Sequence, residues 1–354
     1  MVVDDSAVIR GYFRRALESD PGIKIVSSAG NGAIAVETLA REPADVIVLD
    51  IEMPVMDGLT ALPKLLEVDP SVKIVMASTL TLANADVSLK ALSIGAADYV
   101  AKPTTSADLH SAEDFKRELI EKVKGLGAAK RTGSDDPRQP MRPTTDIVVP
   151  TNSTSFETRT PPTLPPTIVG IGSSTGGPQA LMTVISSLPS SFDLPILISQ
   201  HMPATFTGIL AQHISKAADR DAREAEDGEI VQPNRIYIAP GNFHMIVEGS
   251  AVEPVIRLSQ DPPENFCRPA VDPMFRSLAQ VFGQKLLSVI LTGMGHDGLE
   301  GSRVVVDAGG GLISQDEATS VVWGMPGAVA TAGLCSDVLP VDQIAARIAA
   351  LCGR

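Results

Sequence analysis

Short apolar runs recur along this chain, and most of them close on a polar residue and give way to a helical pattern. A strand buried on both faces needs such a run, and a parallel sheet covered by helices supplies that environment. The first block of the pattern predicts strands at Met1–Val3, Ile23–Ser27, Val46–Leu49, Lys73–Ala77 and Ala97–Val100, with helices such as Ser6–Glu18 and Gly32–Arg41 between them. A last helix, Ser111–Leu126, carries Phe115, Leu119 and Val123 on one stripe for docking on the sheet. Strand one is short for a chain of this kind and reads as trimmed at its start. The second block predicts strands at Thr167–Ile171, Pro195–Ser199, Arg235–Ala239, Leu286–Thr292 and Gly311–Ser314, and helices at Pro178–Ser187, Asp272–Phe282 and Asp342–Leu351. The expected fold class is α/β, with two doubly wound parallel-sheet domains.

Between the blocks, Gly125 to Pro166 holds eight prolines, eight threonines and one aromatic, Phe156. Such a stretch cannot bury enough apolar area to offset the entropy of ordering, so it reads as an extended linker. Ile147-Val148-Val149 is its only apolar knot. The expected organisation is a first domain at 1–124, a linker at 125–166 and a second domain at 167–354.

With 44% apolar residues the chain has the material for two cores, and its net charge of −13 works against binding nucleic acid. No run of about 18 apolar residues is present to insert into a bilayer. The start of the chain lacks the basic and apolar segments of a secretory signal. Cys267, Cys335 and Cys352 are scattered, with no C-x-x-C pair, and offer neither a disulfide framework nor a zinc site. A cytoplasmic location is the expectation.

In a parallel sheet the chemistry gathers at the carboxyl ends of the strands. In the first block those ends deliver Asp4 and Asp5, Asp50, Ser78, and Lys102 followed by Pro103. Three convergent carboxylates repel one another unless a hard divalent cation sits among them, and oxygen ligands suit Mg²⁺. A lysine and a hydroxyl beside them would hold an incoming phosphoryl group, with Asp50 as nucleophile and Lys102 as charge partner. Any one of these aspartates alone would more simply be a turn or cap residue. Five positions in order point to a site. The segments V-V-D-D-S, L-D-I-E-M-P-V-M-D-G and Y-V-A-K-P resemble a response-regulator receiver domain, which is flavodoxin-like. The resemblance implies Asp4, Asp5 and Asp50 as Mg²⁺ and phosphate-site carboxylates, Ser78 as switch hydroxyl and Tyr99 as the aromatic that re-packs.

In the second block the first strand runs into Gly172-Ser173-Ser174-Thr175-Gly176-Gly177-Pro178, a G-x-S-x-G turn with Pro178 suited to the first helical turn. Free helix N–H groups there can stabilise an oxyanion. The glycines also suggest a dinucleotide loop, but that reading requires a carboxylate at the next strand end. Gln200-His201-Met202-Pro203 stands there instead. A third strand, Leu286–Thr292, leads to Gly293-Met294-Gly295-His296-Asp297-Gly298. The expected roles are Ser174 as nucleophile, His201 as general base and Asp297 as the carboxylate that orients it. His296 competes for the base role, but choosing His201 leaves Asp297 free as orienter. His213 is expected on a helix surface, His244 is a candidate to line a cleft, and His110 lies near the first domain's last helix, away from the chemistry.

Residues 167 to about 340 resemble the C-terminal domain of the chemotaxis protein-glutamate methylesterases of the CheB type. I-G-S-S-T-G-G, S-Q-H-M-P, A-E-D-G-E, Y-I-A-P-G, R-P-A-V-D, I-L-T-G-M-G-H-D-G and W-G-M-P carry the resemblance in order. It implies a Rossmann-like catalytic domain with Ser174, His201 and Asp297 as triad and Thr175 and Met294 beside the nucleophile, Met294 offering its N–H to the oxyanion. It also implies hydrolysis of glutamate γ-methyl esters and deamidation of glutamines on chemotaxis receptors, with a chemotaxis histidine kinase as phosphodonor. Ser173, His296 and Cys267 depart from the family pattern, which commonly has alanine, asparagine and histidine there. A regulated binding module without activity is disfavoured by the intact Ser174, His201 and Asp297. A transcription factor is disfavoured by the size and acidity of the second block.

Overall fold

A computed structural model describes residues 1–79, 81–102, 109–133 and 158–353. Most of the expected linker, including Phe156 and the apolar knot Ile147-Val148-Val149, lies outside the described residues, as does Pro103.

The first domain alternates strand and helix: β1 (Val2–Val3), α1 (Ala7–Glu18), β2 (Ser28–Ala29), α2 (Gly32–Arg41), β3 (Val46–Asp50), α3 (Gly58–Val68), β4 (Lys73–Ser78), α4 (Leu82–Ile94), β5 (Asp98–Ala101) and α5 (Leu109–Gly133). The five strands pair in parallel in the order β2-β1-β3-β4-β5, with the switch point between β1 and β3. β3 is buried along its whole length, as an uninterrupted apolar run requires. Ser6, Asn31 and Asp57 cap α1, α2 and α3, each accepting a backbone N–H of the first turn.

Two elements differ by more than two residues from those the sequence predicts. β2 is Ser28–Ala29 and not Ile23–Ser27, because β1 offers only Val2 and Val3 to pair with, opposite Ser28 and Ala29. Ile23 and Ile25 pack as side chains against the core without joining the ladder. α5 continues past residue 124 to Gly133, its end held on the first domain by Lys130, whose Nζ donates to Asp69 Oδ2 at 2.7 Å and to the Ala44 carbonyl at 3.0 Å.

The second domain comprises β6 (Ile168–Ser173), α6 (Gly177–Ser186), β7 (Ile196–Gln200), α7 (Ala204–Ala218), β8 (Asp221–Glu224), β9 (Arg235–Ile238), β10 (His244–Gly249), β11 (Pro254–Ser259), α8 (Val271–Phe282), β12 (Leu286–Ile290), α9 (Leu299–Asp307), β13 (Gly311–Gln315), α10 (Met325–Thr331), β14 (Asp337–Leu339) and α11 (Val341–Leu351). Seven strands form a parallel sheet in the order β14-β13-β12-β6-β7-β9-β8, while β10 and β11 form a separate antiparallel hairpin. β6 lies at the centre, between β7 and β12, and the chain reverses its direction of growth across it. Such a reversal opens a crevice at the carboxyl ends of the strands. Among the described residues no helix is long and apolar enough to cross a membrane.

Candidate active site and switch site

Each proposed catalytic residue follows the carboxyl end of its own strand. Ser173 pairs with Gln200 across β6 and β7, so Ser174 and His201 are the next residues along neighbouring strands, whose nominal separation is about 4.8 Å. Gln200 ties the two ends together. Its Nε2 donates to the carbonyls of Ser174 and His201, at 3.0 and 3.1 Å, and its Oε1 accepts from Ser173 Oγ at 2.6 Å. The turn between β6 and α6 requires glycine twice over. Gly176 has φ 74, in the left-handed region, and a side chain at Gly177 would collide with Gln200 and Ser173.

Asp297 is 1% exposed. His201 Nε2 lies 2.6 Å from its Oδ2. The backbone N–H groups of Val271, Asp272 and Gly298 donate to the same carboxylate at 2.6, 3.2 and 2.9 Å. Asp297 therefore caps the N-terminus of α8, a helix with no side-chain cap of its own, and its charge meets the positive end of the dipole. Burial alone would raise its pKa; the His201 imidazole and these N–H donors outweigh it and hold the carboxyl well below the ordinary range. For His201 burial opposes the charged form, yet the Cys267 sulfur and the Asp297 carboxylate raise its pKa well above 6.5.

The second imidazole nitrogen, Nδ1, faces Cys267 Sγ at 3.3 Å. Among the described residues no hydrogen bond joins Ser174 Oγ to His201. The proposed base and its proposed orienter are thus engaged, and Ser174, the proposed nucleophile, stands at the adjacent strand end while the Cys267 sulfur faces the other imidazole nitrogen. The Ser174 N–H is spent on the Thr292 carbonyl at 3.1 Å. The N–H groups of Thr175 and Met294 make no hydrogen bond among the described residues and remain available as donors.

The other histidines fall elsewhere. His296 is exposed, and Asp297 turns to His201 and not to it. His244 is buried and structural, not a cleft residue: Nδ1 accepts from Ala270 N–H at 3.2 Å and Nε2 lies 3.2 Å from the Pro262 carbonyl. His213 is only partly exposed on α7 and pairs with Asp86 of the first domain at 3.1 Å.

At the first sheet's carboxyl edge, Asp4, Asp5 and Asp50 present carboxylate oxygens within 4.8 Å of one another. Oxygen donors at that spacing fit a hard divalent cation. Lys102 Nζ reaches Asp4 Oδ2 at 2.7 Å and Asp50 Oδ1 at 2.6 Å. Burial raises the pKa of Asp50, and the lysine beside it only partly offsets this. Ser78 is buried, its Oγ 3.1 Å from Ser88 Oγ.

The α4–β5–α5 face of the first domain packs on the carboxyl edge of the second sheet. Thr175 Oγ1 donates to Asp98 Oδ2 at 2.7 Å, and Gln179 Nε2 donates to the Ala96 carbonyl at 2.8 Å. Tyr99 stacks on Phe206, ring centroids 4.3 Å apart and planes at 14°. Arg117 of α5 lies over the Phe266 ring at 4.5 Å, and Met294 packs beside Gly125. Lys122 sits beneath, donating to the Tyr99 carbonyl at 2.6 Å and pairing with Asp98 at 3.2 Å. Asp98, Lys122, Gln179, Asn265 and Cys267 are contacts that sequence reasoning did not single out as site residues. Two sequence signals existed: Cys267 departs from the family pattern, and Asp272 lies inside the quoted R-P-A-V-D segment.

Residues 169–348 match the CheB methylesterase family, and residues 1–113 match the response regulator receiver domain. A relative from Paramagnetospirillum magneticum, "Protein-glutamate methylesterase/protein-glutamine glutaminase 1", is 54% identical over 100% of this chain and 96% of its own length. "Protein-glutamate methylesterase/protein-glutamine glutaminase" of Azospirillum brasilense is 57% identical over 97% of this chain and 90% of its own. Among solved structures, the "Thermotoga maritima CheB methylesterase catalytic domain" is 41% identical with a TM-score of 0.51, covering 53% of this chain and 100% of that domain. On this sequence likeness, and with two parallel-sheet domains in the matching order, the chain belongs to the CheB methylesterase family and carries a response regulator receiver domain at its front.

Proposed function

We propose that this chain is a phosphorylation-activated serine esterase. It demethylates glutamate γ-methyl esters and deamidates glutamines on chemotaxis receptors, in the cytoplasm, as part of adaptation. The observation that carries the reading is the 2.6 Å contact between His201 Nε2 and Asp297 Oδ2, at a strand end adjacent to the one that bears Ser174.

With Asp297 on Nε2, Nδ1 holds the basic lone pair. Once Cys267 yields that nitrogen, Nδ1 takes the Ser174 proton as the hydroxyl oxygen attacks the γ-acyl carbon. The N–H groups of Thr175 and Met294 receive the oxyanion. His201 returns the proton to the departing methanol or ammonia. Water, deprotonated by the same nitrogen, then releases glutamate and free Ser174.

In the receiver domain, Asp50 supplies the oxygen that accepts a phosphoryl group from a chemotaxis histidine kinase, and Lys102 and Ser78 hold the group once transferred. Asp4, Asp5 and Asp50 would hold a Mg²⁺ ion, which would supply charge neutralisation for that transfer. The α4–β5–α5 face lies against Thr175 and Met294, so a receptor helix reaches Ser174 only after that face withdraws. Re-packing of Tyr99 away from Phe206 is the step that weakens the contact.

Mass spectrometry of a methylated receptor helix, before and after incubation with the phosphorylated chain, tests this. Loss of methyl from glutamate side chains with matching methanol is expected. Unaltered side chains, at enzyme concentrations equal to substrate, would contradict the reading.

A further inference from the structure

Two carboxylates lie side by side behind the base, and one amide joins them. Asp272, in the first turn of α8, is 3% exposed and accepts Gly301 N–H on Oδ1 at 2.6 Å. Asn265 Nδ2 is 3.0 Å from Asp272 Oδ2 and 3.0 Å from Asp297 Oδ1. An amide carries two N–H donors, so each carboxylate receives one. The Asn265 backbone has φ 51, in the left-handed region that asparagine tolerates best after glycine. Its loop is closed by the paired Glu264 and Cys267 backbones and anchored by the fork of Arg276 on Glu264.

Without that amide, lone pairs of the two carboxylates face each other. Two such groups at close range relieve their repulsion by sharing a proton. Burial and the charge of Asp297 already raise the pKa of Asp272, so Asp272 is the one that takes it up. A protonated Asp272 donating to Asp297 draws off the negative charge that supports His201.

We propose that Asn265 is a positioning residue of the esterase, keeping Asp297 a full acceptor for His201 by supplying each neighbouring carboxylate with its own N–H. The inference rests on the esterase reading above. The other titratable and charged groups facing the pair are His201, Cys267, and Arg276 with its partner Glu264.

Asn265→Gly removes the amide and keeps a residue at ease with positive φ. The expected result, on the full chain, is a fall in kcat of about 10- to 100-fold with KM little changed, as for a group acting through the base. The His201 imidazole, followed by ¹⁵N NMR, then titrates at lower pH than in the parent. In Asn265→Gly/Asp272→Asn the new amide is placed to donate to Asp297, and most of both effects reverses. Asn265→Asp, which keeps the shape and donates nothing, loses at least as much as the glycine variant. A parental kcat and His201 titration in folded Asn265→Gly, or a double variant no better than the single one, would overturn the proposal. The NMR titration needs no turnover, so it stands apart from the esterase reading, which fails instead if Ser174→Ala still releases methanol.

Discussion

Thr175 Oγ1 donates to Asp98 Oδ2 at 2.7 Å, which ties the residue beside the nucleophile to the last strand of the receiver domain. Asp98 immediately precedes Tyr99, and Lys122 spans both, its Nζ 4.9 Å from the Tyr99 ring centroid. Burial opposes the charge on Lys122, but Asp98 and Glu118 overcome it and raise its pKa above that of a free lysine. The cation, the carboxylate and the hydroxyl form one buried polar chain across the domain boundary. On the proposed function, a rearrangement at Tyr99 would act on the Ser174 loop through contacts already made.

Removing the donor of this chain should loosen the boundary. Thr175→Val keeps the shape and the backbone N–H but leaves Asp98 short of one bond, a cost of about 1–3 kcal/mol. Methanol release by the unphosphorylated chain is expected to rise several-fold, and the stimulation by phosphodonor to shrink. An unaltered ratio of stimulated to unstimulated rate would exclude the latch.

On the proposed function, phosphorylation depends on the acidic cluster. Asp50→Ala removes the accepting oxygen, so a small-molecule phosphodonor should leave no acid-labile phosphate on the protein and produce no stimulation. Chelation of divalent cations should abolish phosphorylation of the parent chain likewise, while methanol release without phosphodonor continues. Loss of that unstimulated release on chelation would place a metal in the esterase chemistry itself.

A general base must be neutral to accept a proton, and His201, the proposed base, has a raised pKa. The esterase rate should therefore fall as pH drops through a value above the ordinary imidazole pKa of about 6.5. In stability the sign is opposite in pH. A histidine whose folded pKa is raised stabilises fully below about 6.5 and loses that contribution as pH rises through the folded value. Thermal melts of the parent and of Asp297→Asn across this range should differ most on the acid side. Coincident differences at all pH values would mean the pair is not titrating.

Cys267 occupies the nitrogen that the mechanism assigns to the serine proton. Cys267→Ala should move the acid limb of the rate profile to lower pH, because one of the groups that raise the His201 pKa is gone. A limb unmoved within error would mean the thiol contact plays no part in solution.

Much of this was legible in the sequence because buried parallel strands are written as uninterrupted apolar runs. β6, β7 and β12 are such runs, and Ser174, His201 and Asp297 follow their ends closely enough to be found by reading past each one. β8 and the β10–β11 hairpin were not predicted: Asp221–Glu224 is half polar, and the hairpin is exposed along part of its length. The loop of Asn265 and Cys267 has no period to read. Its left-handed residues at Asn265 and Phe266 are set by what the loop meets, so its contacts to Asp297 and His201 emerge only from the fold. The bond between Asp98 and Thr175 was hidden for a related reason, since an aspartate opening a strand looks like a turn residue until the partner domain is placed against it.

Methanol release from a methylated receptor by the phosphorylated chain and by its Ser174→Ala counterpart tests the central claim most directly. The parent should release methanol at a rate that rises with phosphodonor, and the variant should fall at least about 10⁴-fold, the scale seen when a triad nucleophile is removed. Release surviving in Ser174→Ala would mean that another group attacks the ester.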